Sequence, residues 1–276
     1  MTSLDGLMAE LRAENAELDA LVAGLDPAGW ARPTPAEGWT IAHQIAHLAW
    51  TDDWAVLSAR DPEGFFGAAE RAYTPGTDPV DEGAAVGAAG SPGALLSRWR
   101  ESREEVLAAL ASVPDGVRMP WFGPPMKPAS MATARLMETW AHGQDVADAL
   151  GVVRVPTARL RQVAHLGVRT MGFAWVLHGR PEPQEPVRVE LTGPAGELWT
   201  WGPEDAADRI SGPALDFCLL VTQRRHRDDL ALTVEGATAL AWLPIAQAFA
   251  GPPGKGRDAG AAGVAGAGST EDGTAD

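Results

Sequence analysis

The chain has 276 residues, 45% of them apolar, a formal net charge of −15 and one cysteine, enough for one large domain or two ordinary ones. One cysteine excludes an intrachain disulfide and a thiolate zinc cluster, and the acidic balance argues against nucleic acid or anionic lipid as a partner. No apolar run approaches ~18 residues and no basic, apolar leader opens the chain, so a cytoplasmic protein without a membrane span is expected.

Leu7, Leu11, Leu18, Leu21, Val22 and Leu25 recur at helical spacing and predict a first helix over 3–24, ended by Asp26-Pro27. After a loop broken by Pro33 and Pro35, a second helix is predicted from Trp39 to Arg60, with Thr40 as its N-cap. His43, His47, Trp50 and Trp54 share one stripe of it. On this helix alone, an aromatic core stripe with two hydrogen-bonded histidines is the simpler explanation. Residues 61–91, rich in Gly, Pro, Asp and Ala, read as a long irregular crossover with at most a helical turn near Phe65-Phe66.

A third helix is predicted over 92–111, with Leu95, Leu96, Trp99, Val106, Leu107 and Leu110 inward and a salt-bridged Arg/Glu face outward. The proline-dense loop 117–127, with Trp121 and Phe122, suits either a pocket wall or a packed turn. A fourth helix runs over 128–150, with Ser130 as a candidate cap and Gly151 at the C′ position. Four amphipathic helices with one long crossover make a bundle, a fold that builds metal sites from facing helices.

Beyond Val155-Pro156 the pattern changes. A helix over 157–178, strands over 187–191, 198–201 and 231–234, a hairpin turn at Gly193–Gly196, and helices over 213–225 and 237–250 are predicted. The expected fold class is therefore α+β: a four-helix bundle over 1–151, a smaller mixed domain over 152–250, and a Gly/Ala-rich tail over 251–276 expected to be disordered. Cys218 sits in an apolar run and reads as a core thiol, and His165 and His178 as structural or surface histidines.

The chemistry concentrates on the fourth helix, where Glu138, His142 and Asp145 stand at i, i+4 and i+7 on one face. His43 and His47 stand one turn apart on the second. Taking His47, Glu138 and His142 as ligands gives two imidazoles and one carboxylate, a set that suits Zn²⁺ and leaves open positions; Fe and Mn accept it too. Asp145 could accept from the His142 imidazole or fall near the open position. His43 could be a partner behind a ligand, a fourth ligand or a buried histidine.

The runs Gly38–Leu48 and Arg135–Val146, the second reading Arg-x-x-Glu-x-x-x-His-x-x-Asp, resemble the second- and fourth-helix signatures of the DinB-like metal-binding superfamily. The nearest branch is the mycothiol-dependent maleylpyruvate isomerase type. The resemblance implies a DinB-like bundle whose His47, Glu138 and His142 bind Zn²⁺, and a sterol-carrier-like second domain. It also implies a cleft between the two and an arginine on a C-domain helix that assists the thiol or an acidic substrate. Arg224, with Arg225 next, is the candidate for that catalytic and thiol-binding role, although cations at a helix end are favoured anyway. The runs Thr222–His226 and Ala246–Gly254 differ from the isomerase and leave the substrate open.

The leading expectation is a zinc enzyme that activates a mycothiol-like thiol for isomerisation or S-transfer on a small electrophile, the chain having no catalytic cysteine of its own. The alternatives are a zinc hydrolase using metal-bound water, with Asp145 or a histidine as base, and a non-catalytic carrier of a small apolar molecule. The expected partners are small molecules, and monomer and homodimer both remain open.

Overall fold

Asp-Pro and Ser-Pro pairs punctuate the N-terminal half. In the computed structural model, which describes residues 2–74, 76 and 78–260, Ser3 caps α1 (Leu4–Val22) and Asp26 caps the single turn α2 (Pro27–Trp30). Thr40 precedes α3 (Ile41–Arg60). Asp61 then opens α4 (Pro62–Ala72), Asp78 opens α5 (Pro79–Ala88) and Ser91 opens α6 (Pro92–Ser112). Asp26, Asp61, Asp78 and Ser91 each accept a free backbone N–H of the first turn, and the proline behind each has no N–H to lose.

The segment 61–91, expected to be irregular, is thus largely two helices. Glycine and alanine dilute its apolar stripe, so periodicity missed what the Asp-Pro pairs announce. Glycine here permits close approach: a Cβ on Gly83 would stand 2.7 Å from the Trp50 indole nitrogen, and one on Gly87 2.7 Å from the Ala46 Cβ. α5 thereby lies flat on α3. α7 (Pro128–Leu150) starts behind Lys127 rather than at a Ser130 cap and stops at Gly151, whose φ of 70° is the left-handed cap conformation.

α1, α3, α6 and α7 bury Leu11, Leu18, Ile45, Leu48, Trp99, Leu107, Leu110 and Leu136 between them. One charged pair lies among these residues. Arg135 Nε donates to Asp52 Oδ1 at 2.9 Å and Arg135 Nη2 to the Leu48 carbonyl at 3.3 Å. The Ser102 hydroxyl donates to Asp52 Oδ2 at 3.2 Å. At the far end of α3 the 117–127 loop is a packed turn. Met119 and Met126 exchange backbone hydrogen bonds, and Phe122 meets Trp54 and Phe65 at ring distances of 5.1 and 5.2 Å.

The link to the C-terminal domain is tied to α1, where Arg154 and Arg159 both pair with Glu14 and Glu17. The helix predicted over 157–178 is two, α8 (Leu160–Arg169) and α9 (Met171–Leu177), broken at Thr170, whose hydroxyl meets the carbonyls of Leu166 and Gln247. A four-stranded mixed sheet follows in the order β2-β1-β3-β4. β1 (Val187–Thr192) and β2 (Leu198–Trp201) form the expected antiparallel hairpin, β3 (Asp208–Pro213) runs parallel to β1, and β4 (Thr233–Glu235) pairs antiparallel with β3. β3 escaped the sequence reading because Ile210 is its single large apolar residue. α10 (Ala214–Val221) and α11 (Ala237–Trp242) pack beside the sheet.

Residues 251–260, the first part of the expected tail, carry no regular structure but make contacts with the second domain. The buried Gln247 organises them: its amide nitrogen meets the carbonyls of Phe249, Gly251 and Pro252, and its oxygen accepts from the Gly254 N–H. The rest of the expected tail, 261–276, lies outside the described residues. No helix among the described residues is long and apolar enough to cross a membrane.

Candidate metal centre

α3 presents His47 and α7 presents Glu138 and His142 to the same point. One ligand atom from each lies within 4.8 Å of the others, His142 Nε2 standing 3.2 Å and His47 Nε2 3.6 Å from Glu138 Oε2. His47 and His142 are buried, and their rings are 4.5 Å apart. The three predicted ligands are therefore brought together.

The hydrogen bonds behind them fix which lone pairs face inward. Trp39 accepts at its carbonyl from the Thr34 hydroxyl at 2.9 Å, and the Thr34 oxygen accepts from the Gln44 amide nitrogen at 2.9 Å. That chain leaves Gln44 Oε1 as an acceptor, 2.5 Å from His142 Nδ1, so Nδ1 carries the proton and donates. His142 Nε2 then offers a bare lone pair to a carboxylate. Burial, with His47 next, pushes the His142 pKa down to about 4 against the pull of Glu138. Burial pushes the Glu138 carboxyl up, but its contacts with His142 and His47 outweigh that and hold it well below the ordinary carboxylate range. At neutral pH an ionised carboxylate faces an uncharged imidazole, acceptor against acceptor. A shared cation resolves that conflict, and two imidazoles with one carboxylate are a donor set zinc takes. His47 Nδ1 is buried without a partner. Its ring is held by packing instead, 5.3 Å from the Trp39 ring and 6.2 Å from Trp50.

His43 is a cap rather than a ligand. Its Nδ1 accepts from the Thr40 hydroxyl at 2.8 Å and lies 3.3 Å from the Thr40 N–H, closing the N-terminus of α3. Trp39 stacks on His142 at 5.9 Å and donates its indole N–H to Asp81 of α5 at 2.8 Å, so the crossover helix props one wall of the site. His165 accepts from the Trp201 indole and His178 contacts the Ala174 carbonyl, both away from the centre.

Asp145 does not reach the His142 imidazole, whose partner is Gln44. It points instead to the second domain, where Arg224 Nη2 meets its Oδ2 at 3.0 Å and Arg257 Nη2 its Oδ1 at 2.7 Å. Gln223, with a left-handed φ of 59°, turns the chain sharply after α10 and sends Arg224 toward α7. A cavity of about 220 Å³ is lined by His142, Trp39, Asp145, Arg224, Arg257 and Phe249. Arg225 is not among the residues lining that cavity and grips Asp148 with both Nη atoms, at 2.7 and 2.8 Å. Gln44, Trp39 and Arg257 were missed in the sequence. Gln44 stands one turn before His47 on the same face, a signal open to reading; Arg257 gave none.

Residues 11–147 match the family model described as the mycothiol maleylpyruvate isomerase N-terminal domain. A second model, described as wyosine base formation, matches residues 183–235, a span holding none of the three candidate ligands. Two proteins described as uncharacterized, from two strains of Mycobacterium tuberculosis, are each 56% identical over 253 residues, covering 91% of this chain and 97% of the relative. The crystal structure of the mycothiol-dependent maleylpyruvate isomerase superposes with a TM-score of 0.59 at 18% identity, over 84% of this chain and 93% of that one. A histidine-to-alanine mutant of it gives 0.55 at 19% identity over the same shares. These likenesses establish the fold across both domains.

Proposed function

Because this chain belongs to the mycothiol maleylpyruvate isomerase N-terminal domain family, we propose that it is a zinc-dependent enzyme. It would activate a low-molecular-weight thiol of the mycothiol kind for isomerisation of, or S-transfer to, a small electrophile. The observation that supports this reading best is the convergence of His142 Nε2, His47 Nε2 and Glu138 Oε2, one ligand atom from each lying within 4.8 Å of the others. Bound there, Zn²⁺ would favour the thiolate of a ligated thiol; moving a thiol pKa from ~8.5 to below ~7 is worth about 2 kcal/mol.

The chain supplies no nucleophile of its own for this step. Cys218 is buried, its thiol is pushed up by burial, and its Sγ faces the Leu160 carbonyl. What the chain does supply is position. Gln44 keeps the His142 proton on Nδ1. Trp39 covers one side of the ligands and excludes water. Asp145 acts through Arg224, holding its guanidinium in the cavity wall beside His142. In an isomerisation the thiolate sulfur bonds to an alkene carbon and the π electrons move to a conjugated carbonyl oxygen. Arg224 is the cation beside the site that can stabilise that charge. Rotation about the new single bond and expulsion of the thiolate return the alkene and the thiol, so nothing is oxidised or consumed.

The test is metal content, followed by thiol dependence. Purified protein should carry about one zinc per chain, and His47→Ala, Glu138→Ala and His142→Ala should each lose it. A thermal-shift screen of small thiols should then stabilise the zinc-loaded protein alone. Zinc retained by all three variants sinks the site, and turnover of an electrophile without added thiol moves the reading to a hydrolase.

A further inference from the structure

A second cavity, of about 390 Å³, opens where the start of α7 meets α8 and the edge strand β2. It shares no lining residue with the cavity at the metal centre. α8 is divided along its length. Leu160, Val163, Ala164 and Gly167 are buried, Gly167 so close to α10 that a Cβ there would stand 2.8 Å from Val221 Cγ1. Arg161, His165 and Arg169 follow at i, i+4 and i+8 on the opposite, open face and line the cavity. In a chain of net charge −15 this is a basic stripe without a counter-charge. No Asp or Glu of the described residues lines the cavity, and among them neither Arg161 nor Arg169 pairs with a carboxylate.

Trp201 of β2 sets these groups in place. Its indole N–H donates to His165 Nδ1 at 3.1 Å, which leaves the proton of the neutral imidazole on Nε2. The Arg161 guanidinium carbon stands 6.0 Å from the centre of the indole ring. Partial burial, then the charges of Arg169 and Arg161, hold the His165 pKa below its ordinary value, so both guanidiniums act on the imidazole between them. At neutral pH the stripe thus presents two cations and a neutral N–H, all of them donors. Leu166 adds an apolar flank and Ser130 a hydroxyl.

We propose that this cavity is a second ligand site, which takes the phosphate of a small phosphate monoester between Arg161 and Arg169 and its apolar part against Trp201 and Leu166. Two helical turns, about 12 Å, separate the two arginine Cα atoms, a gap that two long side chains can close from either side. A carboxylate has two oxygens and one charge, and one guanidinium fork saturates it. A phosphate monoester has three free oxygens and close to two charges at neutral pH, and so engages both arginines and the imidazole N–H together. The volume is that of a small-molecule pocket. The site needs neither the metal nor the thiol.

Phenyl phosphate, with benzoate as its control, tests this by titration calorimetry on the full chain, with and without added zinc. Wild type is expected to bind phenyl phosphate more tightly than benzoate. Arg161→Gln and Arg169→Gln should each weaken phenyl phosphate about tenfold, whether or not zinc is present, and the double variant should not bind it at millimolar concentrations. Both arginines are open to solvent and without an ionic partner, so the melting temperature should not fall when they are replaced. Arg227→Gln, which removes an exposed arginine outside this cavity, should leave the affinity unchanged. No binding by wild type at millimolar concentrations, equal affinity in wild type and the double variant, an equal loss in Arg227→Gln, or benzoate bound as tightly as phenyl phosphate overturns the proposal.

Discussion

α3 and α7 bury two charged clusters against each other, and the two are built by opposite rules. Around Asp52 and Arg135 charge meets its complement: guanidinium on carboxylate, hydroxyl on the second oxygen, and a carbonyl for a second guanidinium nitrogen. Around His47, Glu138 and His142 two imidazoles converge on one carboxylate, and His47 Nδ1 is buried without a partner. A cluster that saturates itself holds helices together; one that brings three ligand-type atoms within reach of one another is a candidate seat for a cation.

Breaking the saturated cluster should have the largest effect on folding. Arg135→Met strands the Asp52 carboxylate, which burial already pushes up against the pull of Arg135. It should cost about 3–5 kcal/mol in urea unfolding, and adding Asp52→Asn should recover much of the loss. A loss below about 1 kcal/mol would erase the distinction between the two clusters.

The open cluster should show itself in acid. His142 is held near 4, below its usual value of 6.5, so the unfolded chain binds more protons between those limits. Stability of the metal-free protein should therefore rise with pH across about 4–6.5 and fall as the solution is acidified, by up to about 3 kcal/mol. The depressed Glu138 acts in the same direction lower down, its share present above the ordinary carboxylate range and lost as pH falls through the folded value. His142→Asn should flatten the upper part of the curve, and an unchanged slope would mean that this imidazole is not the group responsible.

Two smaller changes sharpen the contrast. Gln44→Leu removes the acceptor that fixes the His142 tautomer and should weaken zinc about 10- to 100-fold by competition with a chelating dye, with the fold intact. His43→Ala should leave zinc affinity alone and cost only about 0.5–1 kcal/mol, the worth of a helix cap. Were His43→Ala to release zinc instead, its assignment as a cap would be wrong.

Much of this was legible from spacing. Glu138 and His142 at i, i+4, and His47 on a helix starting at Thr40, are local facts that periodicity and capping carry. What spacing could not carry was the partner chosen by each side chain. Asp145 sits at the right interval to serve His142, yet Gln44 from the facing helix takes that role because its amide is already oriented by Thr34. Arg257 was lost because a Gly/Pro-rich stretch reads as disorder, while a single buried glutamine at 247 suffices to shape it. β3 and α5 were lost because their apolar residues are too few for a period.

α7 also works as a ruler. It carries Glu138 and His142, then Asp145 and Asp148, which grip Arg224 and Arg225 of the second domain. From 138 to 148 the helix rises about 15 Å. The spacing between cation seat and guanidinium wall is therefore counted in helical residues, not left to the connection at 151–159. A residue inserted between His142 and Asp145 would swing the grip by about 100° and part the two half-sites while each stayed whole.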